Sequence, residues 1–333
     1  FFIEGRALFG SYPNQQQVDQ LTAMGVKYFV DLTVPGEVFP PYNAREALYA
    51  NFPILDRKTP SDVTKFTVFT LSVYKALSTL QGGEKMYVHC KGGHGRAGIL
   101  VAVLLYLYLG NITTQKAVEL TTEYHNRRKV MRQKWRDIGS PQTRSQKAYV
   151  HRFFGELVFY RAYRRGPSHG FSSYSFHCIE VPKGQDIVPE GLFPSSEAAY
   201  QASKNPDDRE YVQKHTHAKN PRVSRKIGER VRVSSKWLDK RYDIMRYLVR
   251  LKLEQHEDVL RNLMKTGLRQ IVFNSKVDPF FGTGGSRDGR NLLGKILMDV
   301  RNERYQEQMP SFKLRRPELL LTPSRRDVHS EPA

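Results

Sequence analysis

The feature that most constrains the fold is an apolar segment at residues 97–109, which directly follows a glycine-rich loop. The segment, AGILVAVLLYLYL, is apolar on every side, so we predict a helix buried at the centre of a domain. Residues 85–89, before the loop, have the composition of a β-strand. A strand, a tight loop and a buried helix in succession predict an α/β domain in which the loop is held rigidly.

Short apolar runs elsewhere in the first half also fit an α/β domain. Strands rich in β-forming residues alternate with amphipathic stretches, and the helix predicted at 61–80 has Ser61 or Asp62 as its N-cap. We therefore predict a central mixed sheet flanked by helices. The other predicted elements are strands at 7–10, 28–32 and 52–55 and a helix at 14–24.

The glycine-rich loop, HCKGGHGRAG at 89–98, places Cys90 and Arg96 with five residues between them. Its glycines allow the chain to curl so that successive N–H groups point inward, at the positive end of the following helix. Such a field favours a cysteine thiolate, so we predict Cys90 as a nucleophile and Arg96 as a bidentate phosphate ligand. The other predicted phosphate-binding positions are Lys91, Gly92, Gly93, His94, Gly95 and Ala97.

This loop resembles the His-Cys-x5-Arg signature of the protein tyrosine phosphatase superfamily, and the short domain is most similar to its dual-specificity branch. The resemblance extends over residues 5–160 and includes the segment 140–143 (SPQT), Gln146 and Phe153. It implies a cysteinyl-phosphate intermediate and a general acid on a loop upstream of the nucleophile. Asp56, at the end of PILD, is the first candidate for that acid, and Asp62 is the second.

Two positions in the loop bear on rate and substrate. Ala97 stands where the family usually has Ser or Thr, whose hydroxyl helps the thiolate leave, so the resemblance implies slow breakdown of the intermediate. Lys91 and His94 are expected to add positive charge, as in lipid phosphatases that act on phosphoinositides. Inositol phosphates, phosphoinositides, phosphorylated ribose or RNA ends and phosphotyrosine all stay open as substrates.

A basic region and a break follow the phosphatase-like part. We predict one helical stretch with mostly solvated charges, the alternative being a surface for anionic ligands such as nucleic acid. Residues 164–170 lack periodicity and mark the predicted boundary, which gives domains at 1–163 and 169–305 and a flexible Pro/Arg-rich tail at 306–333. The basic residues are Arg127, Arg128, Lys129, Arg132, Lys134 and Arg136.

The second half resembles YbiA-like proteins, also called the NADAR family. The segments 170–174 (GFSSY) and 193–204 (FPSSEAAYQASK) carry the resemblance, and 271–274 and 289–294 follow in the family's order, with a helix predicted at 242–253. The resemblance implies a mostly α-helical α+β domain. It also implies hydrolysis of N-glycosidic bonds in ribosyl phosphates or ADP-ribosyl compounds.

Breaking such a bond gives the ribose oxocarbenium character, which a carboxylate can stabilise while it orients water. Glu197 is the first candidate for this carboxylate, although an acid in the first turn also simply stabilises a helix. Asp278 is the implied second carboxylate, and Trp237 is an aromatic surface on which a base can stack. The residues expected to bind the ribose phosphates are Lys204, Asn291 and Arg301.

Two further residues of this half carry expectations. Phe281 stands where the family usually has Trp, directly before Gly282, which keeps an aromatic side chain at that position. Cys178 is predicted to be a buried apolar residue, with no part in chemistry. We expect no metal and no cofactor in either half.

The composition of the chain limits the classes of partner that we expect. Lys and Arg outnumber Asp and Glu by 53 to 33, a net charge of +20, which favours phosphorylated metabolites, phosphoproteins, nucleic acid or an acidic membrane surface. Two cysteines exclude a disulfide framework and are typical of a reducing compartment. The sequence shows no charged-then-apolar opening segment and no apolar run of about eighteen residues, so we expect neither a leader nor a transmembrane segment. We expect a protein of the cytoplasm or the nucleus.

Three hypotheses for the whole chain follow. The first is a bifunctional hydrolase, a phosphatase fused to an N-glycosidase. The second is a regulatory protein whose two pockets bind phosphate and ADP-ribose groups without turnover. The third is a phosphotyrosine or phosphoserine phosphatase with an accessory domain. Release of inorganic phosphate that depends on Cys90 separates the first and third hypotheses from the second.

Overall fold

The computed structural model describes residues 1–38, 40–160 and 166–309, which form two compact units. The described residues of the first unit fall within 1–59 and 72–147, and those of the second fall within 60–71 and 148–310. The predicted boundary at 164–170 and the predicted tail at 306–333 lie partly outside the described residues. The predicted domain limits therefore stay predictions.

A parallel sheet lies at the centre of the first unit. Its strand order is β1-β4-β2-β3, and every pairing among these described strands is parallel, with Val30 opposite Val88. The predicted α/β class is confirmed, although the sequence predicted a mixed sheet. The strands are β1 (Ala7–Ser11), β2 (Val26–Asp31), β3 (Leu48–Asn51) and β4 (Lys85–Cys90).

Helices join and cover these strands. The chain enters α3 directly from the loop after β4, and residues 96–105 of α3 are all buried, as its apolar sequence predicts. Asp62 accepts a hydrogen bond from Lys65 N (2.9 Å) and so caps α2, one of its two predicted caps. The helices are α1 (Gln15–Ala23), α2 (Val63–Ser78), α3 (Arg96–Leu109), α4 (Thr114–Asn126), α5 (Gln133–Ile138) and α6 (Arg144–Phe153).

The strand predicted at 52–55 is wrong. The third strand, β3, ends at Asn51, and the next four residues form a loop beside the end of β2. Phe52 N and Ile54 N still donate to the carbonyls of residues 31 and 32, at 2.9 and 3.2 Å. Pro53 between them has no N–H group, so a regular ladder cannot continue through this segment.

The basic region is not one helical stretch, as the sequence predicted, but two helices with a loop between them. The side chain of Arg136, on α5, donates to the carbonyl groups of Asn126 and Arg128. These carbonyls at the end of α4 therefore have a hydrogen-bond partner although the helix does not continue. Arg128 is also not solvated, because its guanidinium group packs over the Phe9 ring at 4.7 Å. The available positive surface is therefore smaller than the composition suggests.

The second unit is mostly helical, as predicted. Strand β5 pairs in parallel with β8, β6 pairs with β7 in antiparallel orientation, and the helix predicted at 242–253 lies inside α10. Its core is formed by the apolar faces of α7, α10 and α12. The elements are β5 (Glu156–Phe159), β6 (Ile179–Val181), β7 (Gly191–Phe193), α7 (Ser196–Ala202), α8 (Arg209–Thr216), α9 (Pro221–Gly228), α10 (Ser235–Gln255), α11 (Glu257–Met264), β8 (Gln270–Phe273) and α12 (Leu292–Gln308).

Two predictions for this unit need correction. Cys178 is exposed rather than buried, because it precedes β6, in which Ile179 and Val181 point into the core and the alternate positions point outward. The tail predicted from residue 306 begins with helix, since α12 continues to Gln308. Residues 310–333 of that tail lie outside the described residues.

The apolar helices of the first unit were compared with the requirements for a membrane span. Among the described residues, no helix taken singly has both the length and the apolar character to cross a bilayer. Helices α3 and α4 meet those requirements as a pair, and the pair is bent by 120°.

Candidate active sites

The loop between Cys90 and Arg96 is held from outside through its carbonyl groups. Lys91 O accepts from Tyr12 N at 3.1 Å, and Gly93 O accepts from the guanidinium group of Arg128 at 2.8 Å. The hydroxyl of Ser140 donates to His94 O at 2.6 Å. Because these carbonyls are bonded to surrounding elements, the loop has a fixed shape between β4 and α3.

Gly93 is the position at which this shape requires glycine. Its φ is +72°, and a Cβ atom there would lie 2.3 Å from the carbonyl carbon and oxygen of Gly10. A side chain would therefore be strained by its own backbone and would overlap the backbone of β1. The bend that the sequence pattern predicted thus depends on contact with a neighbouring strand.

Arg96 is buried, and acceptors surround its guanidinium group. Glu37 accepts two hydrogen bonds from it, at 2.6 and 2.7 Å, and Ile54 O accepts a third at 2.9 Å. The Asp56 carboxylate lies 3.1 Å from Nη2, and 65% of the Asp56 side chain is exposed. The structure thus brings together the predicted phosphate ligand and the first candidate acid.

Glu37 is the residue of this site that the sequence did not indicate. Its bidentate pairing with Arg96 holds the pKa of the Glu37 carboxyl below its usual value, although partial burial opposes the shift. The pairing fixes the plane of the guanidinium group, as fork-to-fork contacts do. A glutamate in a loop after a strand carries no motif of its own, so it could be found only from the fold.

Cys90 is buried at the end of β4, beside a network that orients the preceding residue. The His89 ring bonds to the Tyr42 hydroxyl at 2.7 Å, and its other nitrogen lies 3.6 Å from Asp31. Burial lowers the pKa of His89 to about 4, so the ring is neutral near pH 7. The network therefore positions the strand end without adding positive charge to the loop.

His94 does not add the positive charge that the sequence predicted. Its ring stacks on Trp135 with centroids 4.7 Å apart, and its Nδ1 lies 2.7 Å from Nε2 of His125. Burial lowers the pKa of His94 to about 4, and the nearby His125 and Arg128 contribute to the shift. Lys91, by contrast, is exposed and lowers the pKa of Glu37 through its charge. Ala97 is fully buried.

The second unit contains a cavity of about 210 Å³. The structure places Glu197, Lys204, Asp278 and Phe281 in its wall, all of which the sequence singled out. The wall also contains polar and aromatic side chains that were not predicted. These include Ser173, Arg225, Glu229, Arg241, Tyr200 and Phe280.

Glu197 is the buried acid of this cavity. Its two carboxylate oxygens accept hydrogen bonds from Ser173 Oγ and Gln201 Nε2, each at 2.8 Å. Burial raises the pKa of Glu197, while these hydrogen bonds and the charges of Arg225 and Lys204 oppose the shift. Ser195 caps α7 through Ala198 N at 3.2 Å and thereby fixes the helix turn that carries the acid.

Asp278 is the second carboxylate in the wall. One of its oxygens accepts from the backbone N–H groups of Phe280 and Phe281, at 3.0 and 2.9 Å. This turn places both aromatic rings beside the cavity, with their centroids 4.8 Å apart. Asp278 thus has a clear structural role in shaping the cavity.

Basic side chains provide the positive charge of the cavity. Lys204 donates to Gly228 O at 2.9 Å, and burial lowers its pKa. Arg225 is held by Glu229 and by the Tyr174 hydroxyl, at 2.8 and 3.1 Å. The guanidinium group of Arg241 lies 3.5 Å from the centre of the Phe280 ring. An anionic ligand would therefore meet cations that are already positioned.

Three predicted residues do not line this cavity. Trp237 donates from its indole to Ser203 Oγ at 3.0 Å. Asn291 is bonded to the backbone of residues 271 and 273, and Arg301 is bonded to Thr266 Oγ1 and Arg269 O. Each side chain is buried or half-buried with protein partners of its own, so the geometry gives it a structural role.

Comparison with known proteins gives a match for each half. A family model described as "NADAR domain" matches residues 158–303, and one described as "Swiss Army Knife protein, DSP-PTPase phosphatase domain" matches residues 3–150. The candidate tyrosine phosphatase 197R of Invertebrate iridescent virus 6 is 29% identical over 303 residues, 90% of this chain and 89% of that protein.

Escherichia coli provides two further matches to the second half. N-glycosidase YbiA of strain K12 is 31% identical over 113 residues, which cover 33% of this chain and 70% of that protein. The NMR structure of E. coli YbiA aligns with 25% identity over 47% of this chain and 89% of that chain, with a TM-score of 0.39.

The two family matches, one to the unit with the Cys-x5-Arg loop and one to the unit with the buried glutamate, support a hydrolase at the level of the family. The chain belongs to the NADAR family through residues 158–303, and its residues 3–150 match the model of a DSP-PTPase phosphatase domain.

Proposed function

We propose that the first unit hydrolyses phosphate monoesters through a cysteinyl-phosphate intermediate on Cys90. The observation that carries this proposal is the position of the Asp56 carboxylate, 3.1 Å from the buried guanidinium group of Arg96. A general acid, a cation and a nucleophile around one anion-binding loop are what phosphoryl transfer needs. Because Glu37 keeps its bonds to Arg96, an incoming phosphoryl oxygen can replace Asp56 alone. The released carboxylate then takes up a proton from water or from the substrate monoanion and acts as the acid.

In the first step, the Cys90 thiolate attacks phosphorus and the bond from phosphorus to the leaving oxygen breaks. The electron pair of that bond stays on the leaving oxygen, which takes the proton of the Asp56 carboxyl group. Arg96 and the loop N–H groups bind the equatorial oxygens throughout. Because 65% of the Asp56 side chain is exposed, it can reach a substrate oxygen outside the loop.

In the second step, water attacks the phosphorus atom of the intermediate and gives a proton to the Asp56 carboxylate. The bond from sulfur to phosphorus breaks, and Cys90 leaves as a thiolate with inorganic phosphate as the product. Ala97 offers no hydroxyl to the leaving sulfur. We therefore expect this step to limit turnover, which makes the intermediate accumulate.

The test is pre-steady-state hydrolysis of a generic aryl phosphate by the full chain. We expect a burst of aryl alcohol, then a slower steady rate, with both lost in Cys90→Ser. Asp56→Asn should lower the burst rate by about 10²–10⁴-fold, the usual contribution of a general acid. Asp62→Asn is the matched control, because Asp62 caps α2. Tight phosphate binding without release would favour the non-catalytic hypothesis.

We propose that the second unit cleaves an N-glycosidic bond of a ribosyl phosphate or an ADP-ribosyl compound. Glu197 carries this proposal, because a buried carboxylate whose two oxygens are fixed by hydrogen bonds faces a cavity that also contains Lys204, Arg225 and Arg241. The name of its E. coli relative, N-glycosidase YbiA, agrees with this chemistry. The cations suit the phosphate groups of such a substrate.

In the proposed reaction, the bond from the anomeric carbon to the base nitrogen breaks, and the base leaves with the electron pair. Water adds to the anomeric carbon, and the Glu197 carboxylate accepts its proton while stabilising the positive charge on the ribose. Phe280 or Phe281 provides the aromatic surface beside the base. Trp237, which the sequence favoured for that role, lies outside the cavity wall.

The test compares Glu197→Gln with Glu229→Gln, both of which keep the shape of the side chain. Free base released from ribosyl phosphates, ADP-ribose derivatives and ADP-ribosylated DNA is measured by chromatography. We expect a loss of about 10²–10⁴-fold in Glu197→Gln, and a small change in Glu229→Gln, whose side chain is 56% exposed. Unchanged base release in Glu197→Gln would exclude the proposed role.

A further inference from the structure

Two histidines and an aspartate converge on the second unit at a place separate from the Glu197 cavity wall. One ring nitrogen each of His169 and His177 and one carboxylate oxygen of Asp258 lie within 4.8 Å of one another. The Nε2 atoms of the two histidines lie 3.9 and 3.7 Å from the same oxygen of Asp258. The cluster joins the segment after Gly166 to the first turn of α11.

Hydrogen bonds do not account for this convergence. Both distances to Asp258 exceed the range of a direct hydrogen bond. The Nδ1 atoms of His169 and His177 are buried and have no hydrogen-bond partner among the described residues. The Nε2 atom of each ring faces Asp258. Buried polar atoms normally have a partner, so each ring has a nitrogen that the described part of the chain leaves unused.

We propose that His169, His177 and Asp258 bind a divalent transition-metal ion of the zinc class. Two imidazoles with one carboxylate are a common ligand set for such ions, and a solvent molecule completes a four-coordinate site. Metal bonds of about 2.0–2.2 Å at a tetrahedral angle place neighbouring ligand atoms about 3.4 Å apart. The two distances from nitrogen to oxygen therefore need to close by a few tenths of an ångström.

Groups next to the cluster affect its expected affinity for a metal ion. The ring of His256 packs 4.9 Å from that of His177, and its Nε2 is bonded to Cys178 O at 2.6 Å, so it already has a partner. Burial lowers the pKa of His177, and the charge of Lys252 lowers it further, so Lys252 opposes a cation here. Burial lowers the pKa of Lys252 itself to about 7, so this opposition decreases as the pH rises above neutral.

The metal would stabilise the segment that carries Ser173. This residue lies between His169 and His177 in the chain, and its hydroxyl donates to Glu197 at 2.8 Å. An ion bound to both histidines and to Asp258 would fix both ends of the segment relative to α11. Its expected role is structural, at a distance from the reacting atoms.

The experiment uses the full chain without a histidine tag, stripped with a chelator and titrated with Co²⁺ and then Zn²⁺. We expect about one ion per chain, visible absorption of a four-coordinate Co²⁺ complex that Zn²⁺ abolishes, and slower amide exchange at residues 170–176 with Zn²⁺. Asp258→Asn and His177→Ala should weaken binding at least about tenfold, since even outer-shell partners contribute that much. Asp258 is 55% exposed, so its replacement should not prevent folding.

His217→Ala is the matched control, because His217 is an exposed histidine of the same unit that lies outside the cluster. It should bind Co²⁺ as the unchanged protein does. The proposal is overturned if the stripped protein gives no Co²⁺ spectrum. It is also overturned if Asp258→Asn and His217→Ala bind equally well. Neither outcome depends on enzymatic activity.

Discussion

The two candidate sites present their positively charged groups in different ways. In the first unit, a continuous loop of backbone groups surrounds one buried cation, Arg96, and the charge of that cation is already paired with Glu37. In the second unit, three cations from separate segments face one cavity: Lys204 lies just after α7, Arg225 on α9 and Arg241 on α10. A backbone cradle suits a single phosphoryl group, whereas dispersed cations suit a larger ligand with several anionic groups.

This difference has an energetic consequence. The loop depends on few contacts. Its shape requires glycine at position 93, and its cation, Arg96, is paired with Glu37. The cavity distributes its charge over several side chains, so the loss of one leaves others in place. We therefore expect single substitutions to have larger effects on the first site than on the second.

Glu37→Gln should give the largest effect. Gln preserves the shape of the side chain but leaves the buried Arg96 without its bidentate counterion. Breaking a buried ion pair costs about 3–5 kcal/mol, and we expect about 3 kcal/mol because Ile54 O and Asp56 remain as partners. Denaturant unfolding at pH 7 measures this difference. An unchanged midpoint would mean that the pair contributes nothing.

The same pair predicts a pH dependence of known sign. The pKa of Glu37 is lowered in the folded protein, so its contribution is present above the usual carboxyl value of 4.5 and is lost as the pH falls through the lower folded value. The stability difference between the unchanged protein and Glu37→Gln should therefore be constant from pH 6 to 8. It should shrink below about pH 4.5.

Gly93→Ala should have the next largest effect, and Gly83→Ala is its control. Both glycines have positive φ, +72° and +83°, but a Cβ atom at Gly83 meets nothing within 4 Å. Backbone strain is common to both variants, so the difference between their stabilities measures the cost of the overlap with Gly10. We expect Gly93→Ala to be about 1–3 kcal/mol less stable than Gly83→Ala, the usual cost of overpacking, and to lose phosphate binding. Equal stability of the two variants would show that the loop can move away from β1.

The contrast between the sites also explains what the sequence could predict. The loop is contiguous, so the spacing of Cys90 and Arg96 and the apolar helix after it were enough to predict its position. Glu37 was missed because its role depends on a loop after β2 that meets Arg96 only in the folded chain. The prediction of positive charge on His94 was wrong for a similar reason, because the residues that bury its ring, Trp135 and His125, come from later helices.

The cavity was predicted in part. Glu197, Lys204 and Asp278 lie in segments that resemble the family, and all three line the cavity. Ser173 lies in the family-like segment 170–174 but was given no role, and Arg225 and Arg241 were missed because nothing local distinguishes them from other polar side chains. Asn291 and Arg301 were assigned to phosphate, yet their bonds to the backbone and to Thr266 serve folding. Within a family-like segment, a polar residue that serves folding and one that binds a ligand cannot be distinguished until their partners are known.

Gly228→Ala tests the hydrogen bond from Gln201 to Glu197 in the cavity wall, and its expected effect is smaller. A Cβ atom at this position would lie 2.0 Å from Oε1 of Gln201, so the flexible end of Gln201 should move away from Glu197. Losing one hydrogen bond to a charged group costs about 1.5 kcal/mol, which predicts about a tenfold loss of base release near neutral pH. Because that bond lowers the pKa of Glu197, the acid limb of the rate profile should move to higher pH.

Gly285→Ala is the control for that variant, since its Cβ atom would make an ordinary contact of 3.5 Å with Lys276 O. It should leave both the rate and the pH profile unchanged. If Gly228→Ala behaves like Gly285→Ala, the hydrogen bond from Gln201 does not set the state of Glu197.

His94→Gln should give the smallest effect on binding, and it separates charge from packing in the loop. Since the pKa of His94 is about 4, the ring is neutral from pH 6 to 8 and contributes no charge to bind an anion. We expect KM for an aryl phosphate to change by less than about twofold, while loss of the stack on Trp135 lowers stability by about 0.5–1.5 kcal/mol. Lys91→Ala, which removes an exposed charge, should raise KM by up to about fivefold, the effect of a surface ion pair. An inflection in KM near pH 6.5 that disappears in His94→Gln would mean that the histidine carries charge. The loop would then resemble the cavity in using several cations.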